Sequence, residues 1–209
     1  MVKRYQGPIN DKEKSKQKLI NAVGKVLESK GYVGLTVTNI AKEAGLDRRL
    51  ITLYFDSVNN LVEIYFRKKD YWLDTLGDVK QMILENNSLE IKDIADVLLL
   101  NQLDYFNNNS ELQKLVLWEI SQKTYFVDSV SVEREQLASE LFELIDTELE
   151  GKDIDLRAIS ALLVAGSYFM VLHSKSTKTP FCGIDINTSD GLKRIRSAIS
   201  LVLDKTLSC

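Results

Sequence analysis

Residues Leu35 to Leu61 read LTVTNIAKEAGLDRRLITLYFDSVNNL. Thr36 stands where its hydroxyl can accept from an orphan N–H of a first helical turn. Val37, Ile40, Ala41 and Ala44 follow at helical spacing, with Thr38, Asn39, Lys42 and Glu43 on the other side. Gly45 lets that helix stop and the next begin at a steep angle, because glycine tolerates left-handed backbone. Asp47 caps a second short helix. Its Ile51 and Phe55 face inward, and its Arg48, Arg49 and Thr52 face out.

Two short helices joined through a glycine turn, the second basic and polar outside, make a helix-turn-helix. Gly31-Tyr32, Thr36-Val37, Ile40-Ala41, Ala44-Gly45-Leu46, Tyr54-Phe55 and Leu61 carry a more specific pattern. On these residues the stretch from about Lys18 to Leu61 resembles the TetR (tetracycline-repressor) family of bacterial regulators. The resemblance implies an all-α fold. Residues 1–62 would be a three-helix DNA-binding domain, and residues 63–209 a helical ligand-binding and dimerisation domain.

In such a domain the second helix enters the major groove, where arginine is well shaped for bidentate contact with guanine O6/N7. Arg48 and Arg49 are the candidates for that contact; either could instead grip phosphate, or remain a solvated pair. Thr38, Lys42, Thr52 and Tyr54 are candidate phosphate contacts. The family commonly has a small residue where Arg49 stands, Tyr at the place of Thr52 and Lys at the place of Val58. Those Tyr and Lys side chains normally anchor the DNA backbone, so two such contacts are in question here.

Charge is divided along the chain. The net charge of −3 alone argues against a polyanionic partner, but residues 1–69 hold 14 Lys and Arg against 7 Asp and Glu. That leaves 13 against 23 for the remainder. A basic third on an acidic body fits an electrostatic footprint confined to one end. Lys12, Lys14, Lys16 and Lys18 open the first helix, either as a solvated flank or as a phosphate-contacting arm.

Nine helices and no strand are expected. The first runs from Asp11 to Lys30, and the two of the helix-turn-helix follow. One long helix from Ser57 to about Asn86 would then connect the domains, with Leu61, Ile64, Tyr65, Trp72, Leu76, Val79 and Ile83 as its stripe. Ser88 to Phe106 comes next, then a helix opened by a capping box at Ser110–Gln113, then Asp128 to Glu150. Asp155 to Lys175 contains ALLVAGSYFMVL and has no polar face over three turns, so it must be covered all round. Thr188 to Leu207 closes the chain with Leu192, Ile195, Ile199, Val202 and Leu203 near a 3.5-residue seam. Packing of these last two helices against a second copy would form a four-helix homodimer interface.

By resemblance, helices from about Ser88 to Lys175 would enclose a small-molecule effector. Tyr105, Trp118, Tyr125, Phe169, Met170 and His173 are the residues to examine, although aromatics and Met at helical spacing are more often plain core. His173, the sole histidine, is open to a structural or a ligand-binding reading. No cofactor or metal is expected, because one His and two distant Cys do not make a zinc set. There is no P-loop, no GxGxxG after a strand and no GxSxG, so an enzyme is not expected. Cys182 and Cys209 are too few for a disulfide framework, and the N-terminus lacks an apolar signal core. The longest nearly apolar run, Ala161 to Leu172, falls short of the roughly 20 residues that span a bilayer.

These readings converge on a cytoplasmic, homodimeric transcriptional repressor that binds a palindromic double-stranded operator under the control of a small molecule, with no membrane partner. The alternative is a ligand-binding or adaptor protein on the same fold with weak or lost DNA binding. Thr52 and Val58 favour it.

Overall fold

The computed structural model describes residues 9–85, 90–121 and 125–207. Among them are ten α-helices: α1 (Ile9–Lys30), α2 (Val37–Ala44), α3 (Arg49–Phe55), α4 (Val58–Arg67), α5 (Tyr71–Glu85), α6 (Ile91–Asn108), α7 (Ser110–Ser121), α8 (Tyr125–Glu148), α9 (Leu156–Thr177) and α10 (Ser189–Leu207). A 3-10 turn at Tyr32–Gly34 and an isolated bridge between Phe181 and Ile184 complete the described structure. The all-α expectation is met.

The chain divides into two compact units, Met1–Asp70 with Lys114–Ser131, and Tyr71–Gln113 with Val132–Cys209. The first unit has a closed apolar core. Leu19, Val23 and Leu27 of α1, Ile40 of α2, Ile51 and Phe55 of α3, and Leu61 and Phe66 of α4 are all buried in it. With Val26, Val62 and Tyr65, also buried there, these positions recur three and four residues apart, which puts one stripe of each helix inward. Leu115 and Trp118 of α7 join the same core.

Local chemistry sets the helix ends. The Thr36 hydroxyl accepts from the Asn39 N–H at 3.2 Å, and the Ser57 hydroxyl accepts from the Asn60 N–H at 3.1 Å. Gly45 sits at φ +65°, and the Leu46 N–H returns to the Ala41 carbonyl at 3.0 Å, closing α2 in a Schellman turn. The Asp47 carboxylate accepts from the Arg49 N–H at 2.8 Å at the start of α3.

The second unit is centred on α6, which packs against α9, α10 and α5. Its antiparallel contact with α10 is a ladder of polar pairs: Lys92 with Asp204, Asp96 with Ser200, and Asp104 with Arg196. Leu99, Leu103, Ile199 and Leu203 are buried in the same unit. The start of α10 meets the preceding loop so closely that a Cβ on Gly191 would lie 1.9 Å from the Asp185 carbonyl oxygen. Only glycine fits there.

Three expectations are corrected. The single connecting helix from Ser57 to Asn86 is two helices, α4 and α5, separated at residues 68–70. Arg67, Lys68, Lys69 and Asp70 form a full turn without an apolar residue, so the stripe has nothing to bury there. The Lys69 N–H closes α4 onto the Phe66 carbonyl at 2.9 Å. The capping box at Ser110 is displaced by one residue: Asn109 accepts from the Leu112 N–H, and Gln113 donates to the Phe106 and Asn107 carbonyls. The seam of α10 also divides. Ile199 and Leu203 are buried in the second unit, whereas Val202 is exposed, as is its neighbour Leu201.

Helix α9 is 22 residues long with a mean hydropathy of 1.5 over its most apolar window, so by length and composition it could cross a bilayer. Its buried side, with Leu156, Ser167, Met170, Val171 and Ser174, packs inside the second unit. Its other side presents Leu162 at 75% exposure and Phe169 at 50%.

Candidate functional site

Helix α3 lies on the surface of the first unit with Ile51 and Phe55 buried beneath it and Arg48, Arg49 and Thr52 exposed. The Arg49 side chain is 88% exposed and rests against Asp47 at 3.3 Å. The Arg49 backbone N–H holds the Asp47 carboxyl below the usual carboxylate range, and both neighbouring guanidinium groups add to the effect. A carboxylate beside two arginines would compete with phosphate, but the contact is exposed and readily exchanged.

Thr38 and Lys42 are exposed on α2, and Tyr54 is partly buried on α3. The Lys12 ammonium lies 5.8 Å from the centre of the Tyr54 ring, which brings the lysine-rich start of α1 beside the helix-turn-helix. Leu53, missed in the sequence reading, is 71% exposed on α3. An apolar side chain on that surface can meet a thymine methyl group. Its signal was present: Leu53 falls between the inward positions Ile51 and Phe55.

The six candidate effector residues are not brought together. Trp118 belongs to the first unit, where it stacks on Tyr32 at 5.4 Å and meets Phe66 edge-on at 5.2 Å. Phe169 and His173 form an aromatic group with Phe181 on the outer side of α9. Met170 is buried on the opposite side of that helix. The side chain of Tyr125 lies outside the described residues. Tyr105 joins a separate ring set in the second unit, packing 5.5 Å from Tyr71, which itself meets Trp72 at 5.0 Å. Burial pushes the Tyr71 phenol above its ordinary range.

A second residue missed in the sequence is Gln102 of α6. It is 1% exposed, and its amide oxygen and nitrogen have no hydrogen-bond partner among the described residues. A buried, unpaired polar group costs about 1–3 kcal/mol, so this position needs a reason. The signal lay in the sequence, since Gln102 occupies the inward face one turn after Leu98 and one turn before Phe106. Among the described residues, no group of three or more His, Cys, Asp or Glu could hold a metal ion.

Comparison with known proteins separates the two parts. The sequence model of the bacterial regulatory proteins of the tetR family matches residues 19–63. Solved structures match nearly the whole chain. The transcriptional regulator FadR from Bacillus subtilis, solved with stearoyl-CoA, is similar at 17% identity and a TM-score of 0.64, over 90% of this chain and 96% of that one. A TetR transcription regulator from Haloarcula marismortui is similar at 19% identity and 0.62, over 93% and 99%. One from Marinobacter aquaeolei is similar at 16% identity and 0.66, over 94% and 97%.

The chain has the TetR-family fold.

No curated protein matches the chain in sequence. Within the TetR fold, the departures noted above take physical form. Val58 is partly buried against the core of the first unit, and Thr52 is exposed but short. Neither offers the reach of the Lys and Tyr that the family commonly carries at those places. Lys12 beside Tyr54 supplies positive charge next to the TetR-type helix-turn-helix from a different helix.

Proposed function

We infer that this chain is a homodimeric transcriptional repressor of the TetR type, acting in the cytoplasm on a palindromic operator and released or recruited by a small molecule bound within residues 63–209. The observation that carries the reading is α3: a helix with a sealed inner face and an arginine 88% exposed, inside the stretch matched by the tetR family model. Residues 1–62 would read DNA, with Arg48 and Arg49 on base edges or phosphate and Thr38, Lys42, Thr52 and Tyr54 on phosphate.

Dimerisation through α9 and α10 is supported by the exposed apolar side of α9, where Leu162 and Phe169 stand open, and by Leu201 and Val202 of α10. Soluble monomers rarely leave such a contiguous surface uncovered. A two-fold axis would set two recognition helices about 34–36 Å apart, or a multiple of it, matching operator symmetry. Small-molecule control is supported by FadR of Bacillus subtilis, a protein of this fold solved with stearoyl-CoA.

Control works as a population shift, limited by the differential affinity of the effector for two conformers. The stretch from residue 57 to 86 is not one rod, since α4 and α5 are separate helices with a break at 68–70. Helix α7 offers a route instead. It is unbroken from Ser110 to Ser121, and its Trp118 stacks on Tyr32 beside the helix-turn-helix.

The test is a salt titration of binding to a random-sequence duplex. A repressor releases counterions, giving a log–log slope of about −0.9 for each phosphate neutralised. A flat slope would leave the adaptor reading, which Val58 and Thr52 favour because neither can anchor a phosphate as Lys and Tyr do.

A further inference from the structure

We propose that the second unit binds an uncharged, flat ligand whose adjacent donor and acceptor pair with the Gln102 amide, between aromatic walls from α5, α6 and α9. This rests on the small-molecule control inferred above and assigns its chemistry.

Gln102 lies on the face of α6 that it shares with Leu98 and Phe106, one helical turn away on either side. The Leu98 carbonyl accepts from the Tyr71 hydroxyl at 3.0 Å, which fixes α5 on one flank of that face. Phe106 meets Tyr168 at 4.3 Å between ring centres, which brings α9 to the same face one turn further on. The Trp72 indole N–H donates to the Tyr168 hydroxyl at 3.1 Å, so α5 and α9 are joined across it. The face of α6 that carries the amide therefore has two aromatic groups near it, Tyr71 with Trp72 and Tyr105 around Leu98, and Phe106 with Tyr168.

The Tyr71 hydroxyl is engaged by the Leu98 carbonyl, and the Trp72 indole N–H by the Tyr168 hydroxyl. Both amide atoms of Gln102 remain unpaired among the described residues, although the side chain is 1% exposed. A carboxamide presents one donor and one acceptor side by side, which matches a lactam, a cyclic imide or a similar edge. The aromatic rings favour a flat partner through stacking. The charged side chains that α6 brings to α10, Lys92, Asp96 and Asp104, are already engaged by Asp204, Ser200 and Arg196, so they favour an uncharged ligand group beside Gln102. Access is available because Tyr105 is 38% exposed and Tyr71, Trp72 and Tyr168 are only partly buried.

The experiment uses the full chain and 2-quinolone, an uncharged flat lactam, with 1-methyl-2-quinolone and N-methylquinolinium as controls, read by titration calorimetry. The expected result is saturable binding of one 2-quinolone per chain, with the methylated lactam weaker by about tenfold or more because its donor is gone. Gln102→Leu should abolish that discrimination and raise the Tm of the ligand-free protein. Lack of saturable binding, equal affinity for both lactams, preference for the cation, or unchanged discrimination in Gln102→Leu would each overturn the proposal. A lowered Tm for that variant would also overturn it, since the amide would then belong to the folded core. Random-duplex binding is followed in the same samples. A steep salt slope with failed lactam binding sinks only the site, whereas lactam binding with a flat slope sinks the repressor reading and keeps the site.

Discussion

The two units differ in how completely each satisfies itself. In the first, α1 to α4 seal Leu19, Ile40, Ile51 and Leu61 from solvent, and the charged side chains of α2 and α3 are exposed. In the second, an amide is buried without a partner at Gln102 while Leu162 of α9 stays 75% exposed. The first is a finished apolar core carrying a charged tool. The second has its polarity inverted at two places, and each place asks for something from outside the protomer. That difference separates a sealed head, the first unit, from a body, the second, that keeps unsatisfied groups.

Substitutions can break or sharpen the contrast. The largest effect is expected from Trp118→Ala, which removes a buried ring stacked on Tyr32. It should cost about 3–5 kcal/mol in chemical unfolding followed by far-UV circular dichroism. A loss under about 1 kcal/mol would mean that the first core is not sealed by α7. Next, Leu162→Asp on the outer side of α9 should weaken self-association by about 2 kcal/mol or more in sedimentation equilibrium, with the monomer still folded. Unchanged association would place the dimer contact elsewhere.

Arg48→Ala and Arg49→Ala should each lower operator affinity by about 1–3 kcal/mol and relax specificity if the side chain reads a base. Equal losses on operator and random duplex would assign it to phosphate. A smaller loss, about 1 kcal/mol of folding stability, is expected for Ser57→Ala, which removes the cap on α4. The smallest effect concerns pH. Asp47 is held below its ordinary range by the Arg49 N–H, so its capping contribution is present above the unfolded carboxylate range. It fades as pH falls through the lower folded value, below about pH 4. Hydrogen exchange at the Arg49 amide should quicken there relative to α2, and an unchanged ratio would remove the cap from the account of α3.

Much of the head was legible because its determinants are local. Thr36, Gly45, Asp47 and Ser57 act within three residues of themselves, and each makes the contact that its position implies. The body was less legible because its determinants are distant. Trp118 reads as an effector candidate until its ring is found against Tyr32, 86 positions earlier in the chain. The break after Arg67 was hidden by apolar residues that stay in phase on both sides of a polar turn. The displaced cap at Asn109 shows two adjacent residues able to do the same work, Asn109 and Ser110, which spacing alone does not rank. Gln102 was visible as a polar residue in an apolar stripe, but only its missing partners gave it meaning.

The packing of residues 114–131 with the N-terminal helices bears on how such proteins can be recombined. A head excised near residue 70 would leave behind the indole that covers Tyr32 and Phe66, baring two rings and loosening the base on which α2 and α3 stand. Chimeras that graft this head onto another body would have to carry that later segment with it, so the first unit is not portable as one contiguous cassette.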